Sequence, residues 1–224
     1  TYIAMNPDAE TVTPGAYEIT EIQGKKALVF TSNEGVITYY LREQTVPFED
    51  VPEDAWYYDA VAHCYANEYF HGVSDTRFDP QGTMTRAMFA TVLYRMAGEP
   101  EIAGENPFSD VETGKWYTDA VIWAAGEKII EGYGKGVFGT NDPITREQMA
   151  AIVWRYHGKP AAEKADLTAF SDADQISGWA QGAFEWAVST GVINGKDNGI
   201  LDPKGNASRA EVAQIVMNYD LKVR

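Results

Sequence analysis

A pattern of about sixty residues occurs three times along the chain, and it constrains the fold more than any other feature of the sequence. Each copy opens with a Phe and has an Asp two positions later; these openings lie 60 and then 62 residues apart. They are Phe48-Glu49-Asp50-Val51, Phe108-Ser109-Asp110-Val111 and Phe170-Ser171-Asp172-Ala173. A Trp follows each Phe by 8 or 9 positions, and an Arg follows it by 38 or 39. The pattern predicts three tandem structural repeats.

Each copy has the signature of helix, loop and helix. In the first helix, apolar residues follow the Trp at helical spacing: Trp56, Ala60, His63 and Cys64; Trp116, Ala120, Trp123 and Ala124; Trp179, Ala183, Trp186 and Ala187. The second helix is predicted to begin after the N-cap residues Thr85, Thr145 and Ser208. Its apolar residues are Phe89, Ala90, Val92 and Leu93; Met149, Ala150, Ile152 and Val153; Val212, Ala213, Ile215 and Val216.

One helix pair is too small to bury both of its apolar stripes. We therefore expect the three pairs to pack around a shared axis, as a mainly α domain with pseudo-three-fold symmetry. The loops between the paired helices run from a Gly to a Pro and each contains one large apolar residue. These loops are Gly72 to Pro80 with Phe78, Gly132 to Pro143 with Phe138, and Gly195 to Pro203 with Leu201.

The first 45 residues have a different character. Residues 16–23, 26–32 and 36–42 are rich in β-branched and aromatic side chains, with turn signals at 24–25 and 33–35. They predict a short antiparallel β segment, either the end of an upstream domain or a β cap on the helices. The expected division is 1–45 for the β segment, 46–104 for repeat 1, 105–166 for repeat 2 and 167–224 for repeat 3.

The charge, cysteine content and hydropathy of the chain exclude several classes of protein and of partner. The chain has 33 acidic and 18 basic residues, a formal net charge of −15, which disfavours nucleic acid and anionic membranes. An anionic partner would have to be held by a few local cations. The single cysteine, Cys64, rules out a disulfide scaffold, and no apolar run is long enough to predict a membrane span. Because the chain begins at Thr1 rather than Met, we expect a processed product or a fragment.

The repeats resemble the S-layer homology family. The resemblance covers the three repeats and rests on the opening motif, the pairs Trp56-Tyr57 and Trp116-Tyr117, the Gly-rich loop ending in Pro, and the motif at the start of the second helix. It implies a three-pronged spindle around a helical bundle, located extracellularly at the surface of Gram-positive-type cell walls. The implied function is non-covalent anchoring to a secondary cell wall polysaccharide attached to peptidoglycan, usually through a pyruvylated amino sugar. It implies no enzyme activity, cofactor, metal or membrane insertion.

The resemblance also implies which residues bind. The family's grooves lie between neighbouring repeats and use the Arg of the helix motif, the Asp of the opening motif and a nearby aromatic residue. The candidate ligand-binding residues here are Arg86, Arg146, Arg209, Trp56, Trp116, Trp179, Asp50, Asp110 and Asp172, together with the loop glycines Gly72, Gly132 and Gly195. The helix motif varies: Thr85-Arg86-Ala87-Met88, Thr145-Arg146-Glu147-Gln148 and Ser208-Arg209-Ala210-Glu211. The three grooves are therefore predicted not to be equivalent.

The residue types permit two interpretations of each candidate. A cation at a helix start opposes the helix dipole at a cost of about 0.3–1 kcal/mol, so each Arg calls for a compensating anion. That anion is either the Asp of an opening motif or an acidic ligand held by the guanidinium and by free backbone N–H groups. Each Trp either packs in the core at the start of the helical stripe or offers an exposed face to a sugar. Lys135 and Lys196 are candidate helpers in the loops.

The sequence is also compatible with other classes of function. A protein–protein or self-assembly module is the main alternative, and a catalytic domain would have to lie upstream of Thr1. The three histidines, His63, His71 and His157, fall at non-equivalent repeat positions and form no metal-binding pair. Asp197-Asn198-Gly199 and Asp202 faintly resemble a calcium loop without the EF-hand spacing. Cys64, on an apolar helix face, is predicted to be a buried, inert thiol.

Overall fold

The computed structural model of the chain describes residues 2–3, 17–22, 25–32, 35–40, 42–43, 45–161, 165–197 and 199–224. Before residue 45 it describes strand backbone only. The chain divides into two compact units, Thr1–Val46 and Pro47–Arg224.

The first unit contains short antiparallel strands. Strands β2 (Tyr17–Ile22), β3 (Lys25–Ser32) and β4 (Gly35–Tyr40) form one sheet in that order, and β1 (Tyr2–Ile3) pairs with β5 (Arg42–Glu43). The register pairs Tyr17 with Phe30 and Ala27 with Tyr40. These strands coincide with the three predicted segments. The predicted turn residues 24 and 33–34 lie outside the described residues.

The second unit is helical, with two helices from each repeat. They are α1 (Tyr58–Ala66), α2 (Arg86–Met96), α3 (Thr118–Gly126), α4 (Arg146–Tyr156), α5 (Gln181–Ser189) and α6 (Arg209–Lys222). Two single-turn 3₁₀ helices, Leu167–Ala169 and Ala173–Gln175, precede α5. The mainly α fold with three repeats is thus confirmed. Within the described ranges, no helix is long and apolar enough to cross a membrane.

The second helix of each repeat begins at the predicted cap. The side chains of Thr85, Thr145 and Ser208 each accept a hydrogen bond from the backbone N–H three residues later. In α4 and α6 the cap is reciprocal, because the side chains of Gln148 and Glu211 accept from the cap's own N–H. Such caps satisfy amide groups that have no partner within the helix and so fix where each helix starts.

The apolar stripes form the core, with one correction. All twelve predicted core positions of α2, α4 and α6 are buried, as are the nine stripe positions that follow the Trp in α1, α3 and α5. The leading Trp residues, however, are exposed: Trp56 by 61%, Trp116 by 62% and Trp179 by 55%. The shorter helices begin two residues after each Trp, so the Trp does not share the helical stripe. The core-packing interpretation of these three residues is therefore wrong.

The long helix of each repeat packs against the short helix of the next repeat. The extensive helix contacts join α2 to α3, α4 to α5 and α6 to α1. The last of these pairs connects repeat 3 back to repeat 1 and closes the ring. Each apolar stripe is therefore buried largely by a neighbouring repeat, as expected for units too small to form separate cores.

Three backbone hydrogen bonds link the segments that precede α2, α4 and α6. The N–H of Met84 donates to the carbonyl of Ala207, that of Ala207 to Ile144, and that of Ile144 to Met84, at 3.0, 2.9 and 2.9 Å. The cycle contains one residue from the equivalent position of each repeat, and all three residues are almost fully buried. It brings the starts of the three long helices, and hence their Arg residues, close to one axis.

Candidate functional site

Each of the three candidate Arg residues reaches into the loop of the following repeat. Nε and Nη2 of Arg86 donate to the carbonyls of Phe138 and Glu131 at 2.9 and 2.8 Å. Arg146 makes the equivalent bonds to Leu201 and Asn194, at 2.7 and 3.3 Å, and Arg209 makes them to Phe78 and His71, at 2.6 and 2.8 Å. The guanidinium groups therefore join repeat 1 to 2, 2 to 3 and 3 to 1.

All three guanidinium groups are buried, and those of Arg86 and Arg209 lie over aromatic rings. The three Arg residues are only 3–5% exposed. Arg209 lies over Phe70 and Phe78, with its Cζ 4.5 and 4.6 Å from the ring centres. Burial lowers the pKa of all three, and lowers that of Arg209 to about 10. These hydrogen bonds use Nε and Nη2 of each guanidinium, and Nη1 of Arg146 lies 3.7 Å from Oε1 of Glu211.

The Asp of each opening motif holds the same loop from the other side. The Asp110 carboxylate accepts from the N–H groups of Phe138, Gly139 and Thr140 at 2.7, 2.7 and 3.3 Å. Burial acts to raise the pKa of Asp110, but these bonds outweigh it and the pKa is lowered. Phe138 thus has its N–H bound by Asp110 and its carbonyl bound by Arg86.

The same pattern corrects the expected pairing of Asp with Arg. Asp50 accepts from Phe78 and Asp79, and Asp172 accepts from Leu201 and Asp202. Among the described residues, none of the three Asp side chains forms a salt bridge with a candidate Arg. Asp and Arg instead bind opposite ends of one peptide segment. The Asp therefore positions the loop and only through it the guanidinium.

The backbone N–H groups at the starts of the long helices are occupied as well. The N–H groups of Arg86 and Ala87 donate to the carbonyls of Asp142 and Thr140, and the other two repeats repeat this arrangement. The third N–H of each helix binds the cap side chain. The expectation that free helix amides would help to hold a ligand is therefore wrong. The first two N–H groups of each long helix instead donate to carbonyls in the loop of a neighbouring repeat.

The loop glycines allow a close approach of chain segments. A Cβ on Gly72, Gly132 or Gly195 would lie 2.5, 2.6 or 2.5 Å from Cε1 of the Phe that opens the same repeat. It would also meet the carbonyl oxygen of Ser74 in repeat 1 or Val137 in repeat 2. Any larger residue would therefore displace the loop that carries the Arg-bound carbonyls.

The larger of two grooves lies between repeats 2 and 3. This 2–3 groove has a volume of about 710 Å³ and is lined by Trp56, Arg146, Asn194, Gly195, Lys196, Asp197, Glu211, Gln214, Ile215 and Asn218. Lys196 Nζ lies 2.7 Å from Asp202 and 2.9 Å from Glu211. Burial acts to lower the pKa of Lys196, but the hydrogen bonds with these two carboxylates outweigh it and raise the pKa. The 2–3 groove thus combines charged side chains, among them Arg146, Lys196 and Glu211, with the exposed indole of Trp56.

The smaller groove lies between repeats 1 and 2. This 1–2 groove has a volume of about 140 Å³ and is lined by Arg86, Ile130, Glu131, Gly132, Gln148, Ala151, Ile152, Arg155 and Trp179. Arg155 lies 3.5 Å from Glu131, whose side chain is 66% exposed. Each groove combines an Arg from one repeat, a Gly and helix from the next, and a Trp from the third. In repeat 1 the third residue of the long helix is Met88, where repeats 2 and 3 have Gln148 and Glu211.

Sequence reasoning missed two features of these grooves. Arg155, near the end of α4, was not a candidate, although it lies two helical turns after Gln148 on the same face. Lys196 was only a helper, yet it pairs with two carboxylates within the 2–3 groove. Lys135, the other helper, lines neither groove.

The remaining candidates give no second site. Cys64 is buried, and burial raises the pKa of its thiol. His63 binds Asp220 at 2.8 Å. In the part of the chain that the structure describes, no three His, Cys, Asp or Glu side chains gather to hold a metal ion. Asn198 of the calcium-like segment lies outside that part, and Asp202 pairs with Lys196.

Comparison with protein families identifies three matching segments. The sequence model of the S-layer homology domain matches residues 47–90, 107–150 and 169–213, which together make up more than half of the chain. Each segment begins at or just before an opening Phe and ends within the second helix of its repeat.

Similar segments occur in much longer proteins. An amylopullulanase from Thermoanaerobacterium thermosulfurigenes is 36% identical over 181 residues, which are 80% of this chain and 10% of the relative. The Surface-layer 125 kDa protein of Lysinibacillus sphaericus is 34% identical over 143 residues, 60% of this chain and 12% of the relative. An S-layer protein from Bacillus thuringiensis subsp. finitimus is 27% identical over 174 residues, 77% of this chain and 21% of the relative. The shared segment thus accompanies proteins with different names and roles.

Proposed function

Because the chain belongs to the S-layer homology domain family, whose members act at the cell surface, we propose that its helical unit anchors a protein to the cell wall by binding a secondary wall polysaccharide in the grooves between repeats. The binding is non-covalent. The candidate acidic unit of this polymer is an amino sugar that carries a pyruvate ketal.

The arrangement of cation and indole in the 2–3 groove carries the proposal. Arg146 and Lys196 supply positive charge at its base, and Trp56 is 61% exposed at its edge. An indole face packs well against the apolar face of a sugar ring, while its N–H can donate to a hydroxyl. Asn194 and Gln214 add polar groups that can bind further hydroxyls. A pocket with an apolar surface and a few oriented polar groups is typical of small-ligand sites.

Recurrence of the site within one rigid unit favours a polymeric ligand. Arg86 and Trp179 recur together in the 1–2 groove, so the unit presents two sites of related design. Binding of one sugar unit raises the effective concentration of the next unit along the same polymer. Several weak contacts can then hold a protein at the wall without catalysis or a covalent bond. The net charge of −15 adds a long-range repulsion from an acidic polymer that salt would screen.

The test uses the Trp residues because the Arg residues also hold the fold together. Trp56→Ala, Trp116→Ala and Trp179→Ala remove side chains of nearly equal exposure from equivalent positions, so they form a matched set. Each variant would be incubated with purified Gram-positive cell walls, before and after mild acid extraction of the secondary polymer, and co-sedimentation measured. Leu221→Ala, a change at a residue that is 63% exposed and lines neither groove, is the control.

The proposal predicts that the wild type and Leu221→Ala sediment with intact walls and not with extracted walls. Trp56→Ala should weaken binding by about tenfold or more, taking as a guide the roughly 1–3 kcal/mol that an aromatic side chain contributes when a nucleobase stacks on it. Equal sedimentation with both wall samples, or unchanged binding in all three Trp variants, would refute it. Concentration-dependent association of the chain without polymer, measured by analytical ultracentrifugation, would instead indicate the self-assembly module.

A further inference from the structure

The 1–2 and 2–3 grooves differ in charge at one helical position. Gln148 and Glu211 are both the third residue of a long helix, and both accept a hydrogen bond from the N–H of the helix cap, at 3.2 and 2.9 Å. Both also line their groove. The shared bond places the two side chains in corresponding orientations. The grooves therefore differ there by one negative charge rather than by backbone geometry.

In the 2–3 groove the carboxylate of Glu211 is already paired with both cations, Lys196 and Arg146. Glu211 Oε1 lies 2.9 Å from Lys196 Nζ and 3.7 Å from Nη1 of Arg146. Its side chain is only 15% exposed, so solvent screens these interactions less than at the surface. Asp197 lines the same groove. An acidic ligand approaching Arg146 would have to displace a carboxylate that is fixed by its own helix cap.

In the 1–2 groove Arg86, which corresponds to Arg146, has no such partner among the described residues. Gln148 is uncharged, and within the described residues Arg86 forms no salt bridge. Asp142 and Asp110 act on Arg86 only through space. Arg155 contributes a second guanidinium to this groove, and its 3.5 Å pair with the exposed Glu131 is of the weak surface kind.

The residue after the loop glycine reinforces the contrast. Lys196 follows Gly195 in the 2–3 groove, whereas Tyr133 follows Gly132 at the 1–2 groove. The Tyr133 ring lies 4.6 Å from Cζ of Arg86 and is 53% exposed. Arg86 thus faces aromatic rings and a neutral amide, while Arg146 faces a carboxylate. Arg86, which has no carboxylate partner, and Arg155, whose partner Glu131 is exposed, suit a compact carboxylate ligand.

We propose that the two grooves accept sugar units of different charge, with Gln148 and Glu211 as the residues that determine this specificity. The 1–2 groove takes an acidic sugar unit. The 2–3 groove takes a unit without an acidic group, whose hydroxyl or amide groups bind Glu211, Lys196 and Asn194. This inference rests on the proposed function, since it specifies which unit of a wall polymer each groove binds. It also explains why only the smaller groove, of about 140 Å³, carries two Arg residues.

Reciprocal substitutions test the assignment. Gln148→Glu gives the 1–2 groove the residue of the 2–3 groove, and Glu211→Gln does the reverse. Each variant introduces at the third helix position a residue type that already forms the reciprocal cap in the other helix, so folding should be maintained. Binding would be measured by isothermal titration calorimetry, with soluble acidic wall-polymer fragments and with the same fragments after reduction of their carboxyl groups to alcohols.

The proposal predicts that Gln148→Glu weakens binding of the acidic fragments about tenfold or more, in line with loss of one charge-assisted hydrogen bond, and leaves binding of the reduced fragments unchanged. Glu211→Gln should strengthen binding of the acidic fragments several-fold. Equal effects of either substitution on both fragments, or no effect of Gln148→Glu, would overturn it. Failure of the wild type to bind either fragment would refute the proposed function as well, so the two failures are distinguishable.

Discussion

Replacement of Arg209 by Met tests whether these buried guanidiniums hold the ring of repeats together. Met keeps a side chain of similar length but removes every donor. The carbonyls of Phe78 and His71 would then lose charged partners at 2.6 and 2.8 Å. Each such bond contributes roughly 1.5–3 kcal/mol, and relief of the cost of burying the charge offsets part of the loss. Loss of the two bonds, less this offset, should lower the free energy of unfolding by about 3 kcal/mol.

Arg77→Met is the matched control, because the Arg77 side chain is 64% exposed and its one ion pair, with Asp50, is 3.7 Å long. For a domain of this size, 3 kcal/mol corresponds to a fall in Tm of roughly 6–12 °C, whereas an exposed pair contributes about 1 kcal/mol or less. Far-UV circular dichroism during thermal and urea unfolding would measure both variants. If Arg209→Met lowered stability no more than Arg77→Met, the inference that Arg209 joins repeat 3 to repeat 1 would be wrong.

Three further predictions concern other parts of the helical unit. Gly132→Ala should destabilise it by about 1–3 kcal/mol in urea unfolding, because the new Cβ would lie 2.6 Å from Cε1 of Phe108; an unchanged midpoint would contradict the packing role. The hydrogen bond from His63 holds the pKa of Asp220 below its ordinary value of 3.8, so its contribution is present above pH 3.8 and is lost as pH falls through the lower folded-state pKa. The stability difference between wild type and Asp220→Asn should therefore shrink below pH 3.8, and a constant difference would refute this. Burial raises the pKa of Cys64, so iodoacetamide should alkylate it only after denaturation, and rapid labelling of the native protein would show the thiol to be accessible.

The candidate site shows where sequence reasoning succeeded and where it did not. Arg86, Arg146 and Arg209 were found because they recur at one offset within each repeat. Their partners could not be found in that way, since each Arg binds carbonyls 45 or more residues away along the chain. The sequence left open whether Trp56 is buried or exposed, because helical periodicity cannot tell whether a residue at a helix start lies inside the first turn or before it.

Local features of the sequence determined the three repeats, the starts of the long helices and the faces that enter the core. Side-chain periodicity and capping depend on residues within a few positions of one another, so they can be read without knowing the fold. Tertiary structure alone decided that Arg146, Gly195 and Trp56, from three different repeats, line one groove. In a ring of similar units, local sequence is compatible with pairing inside a repeat or between repeats. Only the burial of each apolar stripe against a neighbour selects between them.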